Sequence, residues 1–184
     1  MGERAFTKAY YGKELISAHG TPVAATRQVV GGTVAPLSAD RKPRYPEEDL
    51  GVRMKAMRSV VDQYLVKESL AIPEGYFQIL PMLFSCGIKG GITPSEQTVS
   101  QGDYLWTHTP SLLASNTLDS ITLEKGDDVQ AFEAEYCMFE RLRISGSAAQ
   151  GAEASPVAIA AEMFARQWTP TTFTSAIAIK LLSL

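Results

Sequence analysis

The stretch Phe132-Glu133-Ala134-Glu135-Tyr136-Cys137-Met138-Phe139-Glu140-Arg141-Leu142-Arg143-Ile144 decides the fold. Phe132, Ala134, Tyr136, Met138, Leu142 and Ile144 fall on one face, with Glu133, Glu135, Arg141 and Arg143 opposite; only Glu140 breaks the pattern. A period of two with one apolar face is a half-buried strand, here one long strand or a bulged pair. Just upstream, in Ser120-Ile121-Thr122-Leu123-Glu124-Lys125-Gly126-Asp127-Asp128, Ile121 and Leu123 alternate with Thr122 and Glu124, and Lys125 to Asp128 supplies a reversal. Downstream, Ala148 to Ser155 reads as a small polar loop. Alternation then returns in Val157, Ile159, Ala161 and Met163 and again in Ile177, Ile179 and Leu181. Tyr104, Trp106 and His108 share a strand face. Residues 102–184 are therefore a succession of strands separated by turns, as in an all-β sandwich or barrel.

Toward the N-terminus the pattern is less regular. Phe77, Leu80, Leu83 and Phe84 recur at helical spacing within 73–87, and Gly87 is placed to end the helix. Pro81 means that this helix either kinks or begins near Leu80 with the proline in its first turn. Residues 1–22 read as an N-terminal arm and 23–30 as a first strand. Between them and the helix, Arg41, Lys42, Arg44, Glu47, Glu48, Asp49, Arg53, Lys55 and Arg58 crowd together with Pro36, Pro43 and Pro46. That composition resists a core and suits an exposed loop. Val60-Val61-Asp62-Gln63-Tyr64-Leu65-Val66 and Leu70-Ala71-Ile72 return as strand, which makes 37–60 a long β-hairpin-like excursion.

Bulk properties set the outer limits. The 184 residues carry 20 Asp and Glu against 17 Lys and Arg, a formal charge of −3, which argues against nucleic-acid binding by bulk charge. A hydrophobic content of 45% supports one core, so 1–184 is expected to be a single domain. Cys86 and Cys137 form no C-x-x-C pair and read as two buried thiols in a reducing compartment. No stretch approaches the roughly 18 apolar residues of a membrane helix, and the start lacks an apolar signal core, so a soluble protein made in a cytoplasm is expected.

No catalytic constellation stands out. His19 and His108 are the only histidines, and neither lies near a G-x-S-x-G elbow. His108, on a strand with Trp106, reads as a packed sheet residue rather than a base. Clustered metal ligands are missing from the pattern, and no cofactor is expected. Gly87-Ile88-Lys89-Gly90-Gly91 lacks the G-x-x-x-x-G-K-[ST] spacing of a phosphate cradle and reads as a turn. The carboxylates from Asp119 to Glu140 follow neither a calcium loop nor a catalytic pair, and a solvated acidic face accounts for them. The mixed charges of 41–58 suit pairing with a protein neighbour better than with phosphate. An all-β domain with one short helix, an arm, a charged excursion and no active site points to assembly rather than to an enzyme.

The order of features resembles the major tail, or tail tube, protein of long-tailed bacteriophages. The residues that carry the resemblance are Gly12-Lys13-Glu14 and Gly20-Thr21-Pro22-Val23-Ala24-Ala25-Thr26-Arg27, then Pro73 to Gly91, then Tyr104-Leu105-Trp106-Thr107-His108-Thr109-Pro110-Ser111. The Ser120 to Asp128 hairpin, the amphipathic strand through Ile144 and Pro156 to Arg166 follow in order. The resemblance implies a two-sheet β-sandwich or barrel of the tail-tube type, with one flanking helix and terminal arms that bridge rings. It also implies a homo-oligomeric ring, commonly hexameric, stacked into a hollow tube in the virion and assembled in the host bacterial cytoplasm. Other tail proteins (tail tip, terminator and tape measure) would be its partners.

Within that resemblance 37–60 corresponds to the inter-ring stacking loop, with Arg41, Lys42, Arg44, Tyr45, Glu47, Glu48, Asp49 and Arg53 as its contact residues. A lumen that conducts DNA should repel rather than bind it. Some of Glu124, Asp127, Asp128, Glu133 and Glu135 are accordingly expected to face the lumen. The alternative from another class is a stand-alone β-sandwich binding module for host-surface carbohydrate or protein, with Tyr104 and Trp106 as its platform.

Overall fold

The computed structural model describes residues 7–34, 38–47, 51, 58–99, 101–127, 130–146 and 157–172. In chain order its strands are β1 (Lys8–Lys13), β2 (Arg27–Gln28), β3 (Thr33–Val34), β4 (Ser38–Arg44) and β5 (Val60–Ile72), followed by the helix α1 (Leu80–Gly87). After it come β6 (Ser95–Glu96), β7 (Tyr104–Leu105), β8 (Ile121–Gly126), β9 (Ala131–Ser145), β10 (Ala158–Ala165) and β11 (Gln167–Thr171). Every pairing is antiparallel, so the described chain is mainly β with one short helix.

Nine strands form one sheet in the order β2-β1-β8-β9-β10-β5-β3, with β11 also on β9 and β4 also on β5. β6 and β7 form a separate two-stranded ladder. The strands at the two ends of the main sheet, β2 and β3, follow one another in the chain with only residues 29–32 between them. The sheet must therefore curl until its ends approach. The Lys125 ammonium on β8, third from the β2 end, crosses to the Val34 carbonyl on the end strand β3. Inside, one core collects Tyr11, Val34, Val66, Leu70, Ile72, Ile121, Leu123, Ala134, Cys137, Ile159 and Met163 from all around the sheet.

The core face follows from alternation where pairing is regular. On β10 Ile159, Ala161 and Met163 are buried, as expected from the sequence, and with Ala165 alternate with exposed or half-buried positions. On β9 alternation is reset twice. Ile121 pairs with Cys137 but Leu123 with Ala134, so three residues of β9 span two of β8, and Tyr136 within that bulge has φ 55°. A second bulge lets Glu162 face Arg141 while Met163 faces Phe139, leaving Glu140 as the extra residue. Cys137 and Phe139 consequently turn inward and Tyr136 outward, which corrects the expectation of a single regular face. The Lys125 to Asp128 reversal stands as far as it is described, with the Asp127 N–H donating to the Gln130 carbonyl and the Gln130 N–H to Asp127 Oδ1.

The N-terminal half departs further. The segment expected to be an arm contains β1, which pairs with β8 along its whole length, and only Arg27–Gln28 of the expected 23–30 strand is β. Residues 23–25 instead lie across β1. A Cβ at Gly12 would meet the Ala24 carbonyl oxygen at 2.6 Å, so only glycine allows this close crossing. The Val23 and Ala25 N–H groups donate to Thr122 Oγ1 and Glu124 Oε1 rather than to a neighbouring strand. This overlay buries β8 on both faces.

A 3₁₀ turn at Phe77–Ile79 leads into α1, which begins at Leu80 with Pro81 in its first turn, the second of the two alternatives for 73–87. Ile79, Leu83 and Cys86 point into the core, and Gly87 lies against Leu142 of β9. Tyr104 is in a strand of only two residues; Trp106 and His108 follow on irregular chain, where their rings stack 6.4 Å apart. Ile177, Ile179 and Leu181 lie outside the described residues.

Candidate functional site

The excursion expected at 37–60 is a ribbon of β4 and β5. β5 has thirteen residues, of which Val66 to Ile72 pair with β10; Val60 to Val66 run with β4 from Ala39 to Arg44. A bulge between Lys42 and Pro43 accommodates the proline, whose missing N–H would interrupt a regular ladder. Arg41, Lys42, Arg44, Tyr45 and Glu47 are all exposed. The Arg41 guanidinium lies 5.3 Å from the Tyr64 ring centre, and Lys42 Nζ is 4.0 Å from Asp40. Val60 and Val61 are exposed beside them. Glu48, Asp49 and Arg53 lie outside the described residues.

The acidic set divides. Glu124 is 1% exposed and lies beneath the 23–25 overlay, so it lines no open surface; this corrects the lumen-facing expectation at that position. Glu135 is buried too, 4.0 Å from Arg166 Nε. Glu133 is half-buried and Asp127 sits at the hairpin turn, while Asp128 lies outside the described residues. The carboxyl of Glu133 is held above the usual range by burial first, then by Glu124, Glu135 and Glu14. The negative charges are thus gathered in space, with Glu14 as an unforeseen member.

Glu14 is the hub of a buried polar knot. Its Oε2 accepts hydrogen bonds from the Gly20 N–H (2.8 Å) and the Ser120 hydroxyl (2.5 Å). Its Oε1 accepts from the Thr122 hydroxyl (3.1 Å) and the Tyr136 N–H (2.8 Å). Because Ser120 donates to Glu14, its oxygen is left to accept from His19 Nδ1, 2.7 Å away. In a Ser-His-acid relay the imidazole must lie between serine and carboxylate. Here the buried serine lies between imidazole and carboxylate, an order suited to holding the 14–20 turn rather than to nucleophilic attack. Nearby, Asp119 is also buried: its Oδ1 accepts from the Gly91 N–H and its Oδ2 lies 2.6 Å from Lys13 Nζ. Nothing local in the sequence announces this knot, because Glu14 meets partners up to 122 positions away.

Another buried carboxyl lies among apolar residues. Glu68 points inward between Val66 and Leu70 of β5, is 3% exposed, and neither of its oxygens has a hydrogen-bond partner. Burial pushes it up to about 8, against the opposing pull of Lys125. The same burial holds the Lys125 ammonium below its ordinary value. Burial pushes the Cys86 thiol up to about 12 and raises Cys137 as well, so both are poor nucleophiles, in keeping with the expected buried thiols.

Among the described residues no group of three or more His, Cys, Asp or Glu could hold a metal ion, and no helix is long and apolar enough to cross a membrane. No protein-family model and no curated protein matches the chain.

Proposed function

We propose that this chain is a structural subunit that polymerises, as stacked rings, into a hollow tube of the phage tail-tube type. The observation that carries this reading is the β4–β5 ribbon. It presents Arg41, Lys42, Arg44, Tyr45, Val60 and Val61 on its surface, a mixed cationic and apolar set suited to a protein neighbour. The curled antiparallel sheet and the order of elements support the same reading. In such a tube the ribbon would join successive rings and DNA would pass through the lumen without specific binding. Glu133 and Asp127 are the described acidic residues left to face it. The virion and the other tail proteins enter as context that follows from this assembly.

Electron microscopy of the purified chain over a concentration series, with light scattering alongside, tests it. Hollow rings or open-ended tubes are expected. A closed dimer, or a chain that stays monomeric at every concentration, would count against the reading. The second reading, a stand-alone binding module, draws on the exposed Tyr104, Leu105 and Trp106, and a stable monomer would favour it.

A further inference from the structure

We propose that the arm between α1 and β8, residues 92–118, is the seat on which a second copy of this chain lays its β4–β5 ribbon. The proposal rests on the polymer reading above and names the surface that receives the ribbon.

The arm is held at its base, touches α1 through His108 against Phe84, and is mostly exposed among its other described residues. At the base, the Gly91 N–H donates to Asp119 Oδ1, the Gly90 N–H to the Thr117 carbonyl, and His108 Nδ1 to the Lys89 carbonyl. Its only strand pairing among the described residues is Ser95 with Leu105 and Glu96 with Tyr104. Beyond the base Val99, Tyr104 and Leu105 are exposed, and Leu112 and Leu113 reach 98% and 100%. Paired leucines with no cover at all are costly to leave in water, and so many exposed apolar side chains within one stretch mark an interaction surface.

Charge identifies the occupant. Residues 92–118 contain Glu96 and Asp103 and no Lys or Arg. Asp103 is fixed by the Thr98 N–H and hydroxyl, at 3.0 and 2.9 Å, which hold its carboxyl below the usual range and keep it ionised. The ribbon offers the complement: Arg41, Lys42 and Arg44 close together on β4 beside exposed Tyr45, Val60 and Val61, with Asp40, Glu47 and Asp62 as counter-charges in its sequence. One surface is apolar with anions and no Lys or Arg; the other is apolar with three cations gathered on one strand among counter-charges. Both are exposed in the same chain, so neither covers the other within a subunit. A contact between two different surfaces of identical copies is heterologous and propagates head to tail, as an open-ended tube requires.

The test uses full-length chain, mixed from ¹⁴N- and ¹⁵N-labelled preparations before assembly and then treated with a carbodiimide, which joins an amine to a carboxylate in contact with it. Mass spectrometry is expected to find Lys42 joined to Glu96 or Asp103 across isotopically distinct copies. Polymers in which Lys42 is joined only to carboxylates outside 92–118 would overturn the proposal. A Leu112→Asp, Leu113→Asp double variant is expected to keep the wild-type melting temperature, since both side chains are in solvent, and to lose polymerisation. Lys42→Glu should raise the critical concentration about tenfold, and Glu96→Lys in the same chain should restore it. If the leucine variant forms tubes like the wild type, the seat is wrong while the polymer reading survives. A wild-type chain that never polymerises overturns both.

Discussion

Glu14 lies just after β1 with four donors on its two oxygens, whereas Glu68 lies on the inner face of β5 with neither oxygen hydrogen-bonded. Both are almost completely buried, so depth alone does not separate them. What differs is the supply of donors. Around Glu14 the chain turns at Gly20, bulges at Tyr136 and presents two hydroxyls, from Ser120 just before β8 and from Thr122 on it, each spending its donor on the carboxylate. Around Glu68 the neighbours on its strand are Val66 and Leu70, and Lys125 spends a proton on the Val34 carbonyl. A buried carboxylate can be a structural centre or a liability, and the local donor count decides which.

The largest way to break this comparison is to remove the satisfied carboxylate. Glu14→Ala strands two backbone N–H groups and two hydroxyls in a buried site, and a loss of about 3–5 kcal/mol is expected in urea unfolding. The Tyr136 backbone, at φ 55°, would also lose the bond that helps hold it in a left-handed conformation. A loss under about 1 kcal/mol would show that water replaces the carboxylate freely and that the knot is not a structural centre.

Glu68 should behave in the opposite sense. Its folded value of about 8 lies above the unfolded 4.5, so the folded state holds the proton longer. The stability associated with this group is fully present below pH 4.5 and is lost as pH rises toward 8. The slope is at most about 1.4 kcal/mol per pH unit in that window. Glu68→Gln cannot ionise and should flatten the slope, overtaking the wild type in stability at the alkaline end. Parallel pH profiles for the two proteins would mean that Glu68 is solvated or ion-paired in the folded state.

Asp119 sharpens the contrast from between these extremes, with one backbone donor and one ammonium. A Cβ at Gly90 would lie 2.5 Å from the Asp119 nitrogen and 2.6 Å from its Oδ1. Backbone cannot yield as a side-chain tip can, so Gly90→Ala is expected to cost about 1–3 kcal/mol by overpacking and to loosen the base of the 92–118 arm. An unchanged unfolding midpoint would mean that this crossing relaxes without cost.

The same carboxylates mark where the fold could be read from the chain and where it could not. The β8 to β9 hairpin was legible because Ile121 and Leu123 alternate cleanly and the Lys125 to Asp128 stretch supplies a reversal. The bulge at Glu140 left a visible break in the pattern, but the one at Tyr136 did not, since Ala134-Glu135-Tyr136 reads as regular alternation and only the register reveals the shift. Glu124 was misplaced because alternation assigns it to an outer face, and the 23–25 segment that covers that face is linked to it by side-chain bonds without strand periodicity. On β5 the core face was obscured by Glu68, a carboxyl in register with the buried Val66, Leu70 and Ile72. Glu14 left no trace, because its donors at positions 20, 120, 122 and 136 come together only once the sheet has curled. The charged ribbon, by contrast, was legible from composition, since its mixed charges and prolines exclude a core.

The smallest expected effect completes the comparison at the surface. Glu162 on β10 faces Arg141 across the bulged pair of strands, with its Oε1 3.2 Å from Arg141 Nη1 and both side chains exposed. This carboxylate already has its solvent and needs no partner. Water solvates each charge almost as well as the other does, and holding two long side chains in register costs entropy. A double-mutant cycle of Arg141→Ala and Glu162→Ala should therefore return a coupling of about 0.5 kcal/mol or less, falling further with salt. A coupling of several kcal/mol would mean that this outer face is covered in solution, and would place another copy of the chain over β9 and β10. In that event the pair at Glu162 would have to be reasoned about as Glu14 is, by counting donors in a buried site.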